Sequence, residues 1–107
     1  MSGELLSHID VALRALQAAR AALDSQVPDA STAALADAFA AIGTLYADLD
    51  GEEGREVSLH LGAVYDSCLA RIGEARPGHG EGLQLAIELL TQVRRAEEDA
   101  QRVASRP

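Results

Sequence analysis

Aromatic residues make up only 3% of the chain, with no tryptophan and a single cysteine. One cysteine allows no internal disulfide, so packing alone must hold the fold. So few aromatics, beside an apolar fraction of 48% that is mostly Ala and Leu, favour helix over sheet. Positive charge is also scarce: nine Lys plus Arg against seventeen Asp plus Glu give a formal net charge of -8 and a pI near 4.7. The basic footprint of a nucleic-acid or anionic-membrane binder is therefore missing, and such partners are disfavoured. The amino-terminal MSGELLSHID has neither a basic region nor the apolar run of a signal peptide. No apolar stretch reads as approaching the roughly 20 residues of a membrane span. The expectation is a cytoplasmic protein without membrane insertion, one domain over residues 1–107.

What is present is helical periodicity. Between Glu4 and Asp24, Leu5, Ile9, Ala12, Leu16, Ala19 and Leu23 recur every three or four positions, which puts them on one face, with Leu6 and Leu13 alongside. Val11, Ala15, Ala18 and Ala22 form a small-residue flank. The stretch SQVPDAS predicts a turn, after which Ser31 or Asp29 can cap a second helix carrying Leu35, Phe39, Ile42, Tyr46 and Leu49. Gly43 interrupts that helix and suggests a close helix contact. A third helix carries Val57, Leu61, Val64, Cys68 and Ile72 as its core stripe, with Glu52, Glu53 and Glu56 in a first turn that favours negative charge. Pro77-Gly78-His79-Gly80 ends it. The fourth helix has two apolar lines roughly 120° or more apart. Leu83, Ile87, Leu90 and Val93 make one, and Leu85, Leu89 and Ala96 the other. Helices over about 4–24, 31–49, 53–76 and 81–105 with short connections predict an all-α, antiparallel up-down four-helix bundle.

Catalytic or metal chemistry finds little support. Asp48-Leu49-Asp50-Gly51-Glu52-Glu53 has the look of a calcium loop, but with Gly51 in the glycine position the first ligand would be Tyr46 and the closing acid Val57. His8 and His79 lack partners at metal-ligand spacing, and Cys68 sits within a core stripe, as a small buried hydrophobe does. His60 is the candidate for a histidine phosphotransfer carrier, a role some four-helix bundles fill. The surrounding His60-Leu61-Gly62 lacks the lysine and the glycine spacing of an H-x-L-K-G motif, and Glu56 one turn away would repel a phosphoryl group. No catalytic residue, cofactor or metal is expected. The second apolar line of the fourth helix does need a cover. Together with Leu59, Tyr65 and Leu69, which lie off the main stripe of the third helix, it predicts a groove for an amphipathic segment.

The third helix and the turn before it, L-D-G-E-E-G-R-E-V-S-L-H-L-G-A-V-Y-D-S-C-L-A-R-I, resemble the FliS family of flagellin export chaperones, whose helix reads approximately E-I-x-x-N-L-x-x-L-Y-x-Y-M-x-x-R-L. Leu61, Val64, Tyr65, Asp66, Leu69 and Ile72 fall on family positions. Asp10, Ala12, Leu13, Arg14 and Leu16 are similar to its D-G-A-L-R-F-L pattern, and Leu89, Leu90, Val93, Arg94 and Ala96 to L-L-x-x-L-R-x-A-W. His60 stands where the family has Asn, Glu97 where it has Trp, and the chain opens almost at its first helix, as in a divergent or amino-terminally shortened member lacking the strap that covers the cargo groove. The resemblance implies a cytoplasmic chaperone that binds the disordered carboxy-terminal segment of flagellin, prevents premature polymerisation and delivers it to an export-gate component. Leu59, Tyr65, Leu69, Leu85, Leu89 and Ala96 are the expected cargo contacts. Beside this reading stand the phosphotransfer carrier using His60 and a homodimeric helical adaptor.

Overall fold

The computed structural model of the chain describes residues 2–25, 28–49 and 55–104. They form four helices: α1 (Ser2–Asp24), α2 (Pro28–Asp48), α3 (Arg55–Glu74) and α4 (Glu81–Ala104). α1 packs against α2 and α4, α3 packs against the same two, and among the described residues neither diagonal pair meets. The expected four-helix bundle is what forms, closed in chain order. The calcium-like run from Asp50 onward and the acids Glu52 and Glu53 lie outside the described residues.

The α1 stripe is core as read: Ile9, Ala12, Leu16, Ala19 and Leu23 are fully buried. In α4, Leu83, Ile87, Leu90 and Val93 are buried together with Ala86. The α2 stripe is different. Its buried face runs through Ala38, Ala41, Ile42 and Leu45, while Phe39 is 59% exposed. A line drawn through the largest side chains misses this face, because two of the four residues that α2 buries in its contact with the core are alanine. Phe39, 100° from Ala38 on the helix, is turned out of that contact.

Helix ends follow local chemistry. α2 begins at Pro28, three residues before the expected start, so Asp29 lies in its first turn and Ser31, only 3% exposed, sits inside the helix rather than ahead of it. A proline suits a first helical position because its fixed φ is already helical and it has no N–H to leave unpaired. α3 stops at Glu74, and Arg76-Pro77-Gly78-His79 forms a tight turn in which His79 N–H donates to the Arg76 carbonyl at 2.7 Å. Gly78 takes φ +82°, the left-handed conformation that the third residue of such a turn requires. The turn tucks against the end of α1, where a side chain on Gly80 would meet Leu23 atoms at 3.4 Å.

Gly43 marks no close contact: a methyl group there would find nothing within 4 Å. The glycine costs helix stability without a packing return, so Gly43→Ala is expected to raise unfolding free energy by about 0.5–1 kcal/mol, read as a higher midpoint in urea with an unchanged slope.

Polar links set the helices in register. His8 Nδ1 lies 2.6 Å from an Asp48 carboxylate oxygen, joining the start of α1 to the end of α2. Arg94 Nε donates to Asp10 at 2.6 Å, and the same guanidinium reaches Glu98 at 2.8 Å. The hydrogen bonds to Asp10 and Glu98 hold its pKa above the usual arginine range. Between α2 and α3, the Tyr46 hydroxyl donates to Asp66, with the Gly62 carbonyl 3.2 Å away, and the bond to Asp66 pushes the phenol pKa upward.

By length and composition alone, α2 over Asp29–Asp48 passes the test for a membrane-crossing helix, contrary to the reading that no stretch comes near one. Its apolarity is mainly alanine, and Ala38, Ala41, Ile42 and Leu45 are spent on the bundle core.

Candidate binding groove

α3 and α4 run antiparallel, so the start of α3 lies beside the later turns of α4. A cavity of about 340 Å³ opens between them there. From α3 it is lined by Val57, His60, Leu61 and Val64, from α4 by Leu89, Gln92, Val93, Ala96 and Glu97, and Leu5 of α1 contributes to the lining. Leu61, Val64 and Val93 are core residues whose edges form the floor, each only 8–9% exposed. Val57, 48% exposed, and the half-buried Leu89 form apolar walls. The gap exists because Ala96 is too short to reach across to Val57 and His60. An apolar trough between two helices, rimmed by a few polar groups, is the shape that accepts an amphipathic helix.

Only two of the expected contact residues are brought together. Leu89 and Ala96 line the groove. Leu85, 44% exposed, lines a separate cleft near the α3–α4 turn with Arg71, His79 and Glu81. Leu59 is 64% exposed and outside the groove, and Leu69 is half-buried against the core. Tyr65, expected at the groove edge, is fully buried, its ring meeting Tyr46 edge-on with centroids 5.7 Å apart. Val57, expected in the core, is a groove wall instead. The two differences have separate causes: the buried face of α3 is centred nearer Tyr65 than the aliphatic stripe suggests, and Val57 sits in the first turn of α3, where it faces the open groove opposite Ala96 and Glu97.

The sequence reading missed Leu5, Val57, His60, Gln92 and Glu97 as groove residues. Leu5 and Val57 carried an apolar signal but were assigned to the core. His60 and Glu97 carried another: they are the two helix positions singled out as departures from the family pattern, and both line this groove.

Other candidate chemistry does not assemble. Among the described residues no group of three or more His, Cys, Asp or Glu could hold a metal. Cys68 is fully buried with Sγ 3.9 Å from the Ala86 carbonyl, and burial pushes its pKa up to about 11. Thiol reagents are therefore expected to modify it only as fast as the bundle opens, so the labelling rate should track unfolding measured by circular dichroism. The unfolded thiol ionises from its ordinary value of 9.0 while the folded one stays protonated, so its contribution to stability is full below 9.0 and is lost as pH rises towards about 11.

The fold and groove define a class of protein: a small four-helix bundle with an open, mostly apolar groove between two of its helices. Two separate stretches that resemble one family also meet in space, since Asp10 from the first and Arg94 from the last form the α1–α4 ion pair. The chain belongs to the FliS family, described as flagellar protein FliS, which matches residues 4–103. This is a family of flagellar export chaperones. No match is found among curated proteins or among solved structures.

Proposed function

We propose that this chain holds the disordered carboxy-terminal segment of flagellin in the cytoplasm, keeps it from polymerising early and passes it to a component of the export gate. The observation that carries this reading is the apolar α3–α4 groove. A disordered segment pays ordering entropy when it binds, and apolar anchors seated in a trough offset that cost. Covering the same anchors denies them to another flagellin. Leu89 and Ala96 carry over as proposed cargo contacts, joined by Val57 and Leu5. Leu59, Leu69 and Leu85 would contribute only where the segment continues beyond the groove, and Tyr65 would act by supporting the helix that carries the groove wall.

Isothermal calorimetry with a flagellin carboxy-terminal peptide tests the proposal. Saturable binding at micromolar concentration is expected, and silence at tens of micromolar would remove flagellin as cargo. Sedimentation of the chain without peptide adds a second check. A tight dimer that dissociates when Leu89 is changed would assign the groove to self-association, the adaptor reading, instead of to cargo.

A further inference from the structure

The groove is mostly apolar, with His60 and Gln92 among its lining, and the one acid that lines it, Glu97, joins Ala96 and Val57 at one end. Glu97 is half-buried, and its carboxylate accepts a bond from the Gln101 side chain at 3.3 Å. Among the described residues it has no cationic partner. Arg94, one turn earlier, is held by Asp10 and Glu98. A helix laid over this end strips water from the carboxylate, and an acid so covered is costly unless the incoming segment supplies a charged donor. The net charge of -8 over the whole chain points the same way.

We propose that Glu97 sets the chemistry of the guest: the groove selects an amphipathic helical segment that carries a Lys or Arg about one turn beyond its apolar anchors, placed against the Glu97 carboxylate. This rests on the reading of the α3–α4 groove as the cargo site. Dimensions fit the assignment. From Leu89 to Ala96 is about 10 Å along α4, two helical turns, which matches anchors spaced i, i+3 or i+4, and i+7 on the guest. The apolar anchors supply affinity, whereas Glu97 supplies discrimination, because an acidic guest residue at this position meets a like charge as water is excluded.

The experiment uses fluorescence anisotropy with designed helical peptides that share one apolar stripe and differ only in the residue a turn beyond it: Lys, Gln or Glu. Each is made with that residue at either end of the stripe, so both guest directions are sampled. The Lys peptide is expected to bind the full chain about tenfold tighter than the Glu peptide, with Gln between them, and added salt should narrow the spread. Glu97→Gln should erase the preference and Glu97→Lys should invert it. Equal affinities for the three peptides that all vanish in Leu89→Asp would overturn the role of Glu97 and leave the groove standing; so would an order unchanged in Glu97→Lys. Binding that survives Leu89→Asp, or none to the unsubstituted chain, would sink the groove reading and this inference with it.

Discussion

Leu89→Asp is expected to weaken binding of a flagellin carboxy-terminal peptide by about a hundredfold, equivalent to about 2.7 kcal/mol, while leaving the helical circular dichroism nearly unchanged. The size comes from what the substitution does to a groove wall. It removes an apolar anchor from the end of the groove away from Glu97 and puts a carboxylate where the guest would exclude water. Leu89 can bear the change because it is half-buried, with solvent open to the new charge in the free protein. Its neighbour in sequence is the control. Leu90 is fully buried in the core, and Leu90→Asp should abolish the cooperative unfolding transition itself. If Leu89→Asp also unfolds the bundle, Leu89 belongs to the core and the groove has been drawn in the wrong place.

Tyr65→Ala is the second large effect, and it falls on stability. Tyr65 is the largest of the fully buried side chains and packs edge-to-face on Tyr46. Deleting a buried aromatic ring costs about 3–5 kcal/mol through lost transfer energy and the cavity left behind. A domain of this size has a total stability of about 5–15 kcal/mol, so the variant should melt far earlier or sit partly unfolded at room temperature. Urea titration followed by circular dichroism measures the loss. Tyr65→Phe, which keeps the ring and its edge contact, should cost much less. Were Tyr65 a cargo contact, Tyr65→Ala would lower affinity and leave the urea midpoint in place.

These two residues show where reading the chain succeeded and where it could not. Leu89 was separated from Leu90 by sequence alone, since adjacent helix positions lie 100° apart and the α4 pattern has two lines. Tyr65 and Val57 were exchanged in role. Both belong to the same amphipathic segment, and periodicity fixes only the angle between them. It does not say how α3 is rotated about its axis or how far along it the neighbouring helices extend. Phe39 differs for a related reason: size does not mark burial in a helix whose buried face is half alanine.

The number of helices, their approximate ends, their order, the core face of α1 and the two apolar lines of α4 were determined by the sequence by itself, whereas which α4 line faces the core was decided by the packing. Those features depend on contacts within a few residues: hydrophobic spacing, the turn signal of SQVPDAS, Pro77-Gly78 at a turn. The family resemblance was legible for the same reason, being carried by short patterns. The groove was decided by tertiary structure. It needs Leu5 from α1, Val57 from the first turn of α3 and Glu97 from late in α4 to meet at one end of the bundle. Each of those residues taken alone reads as ordinary core or surface. A binding surface made of the space between helices depends on rotation and splay set by all four packing together, and no stretch of the chain encodes that space locally.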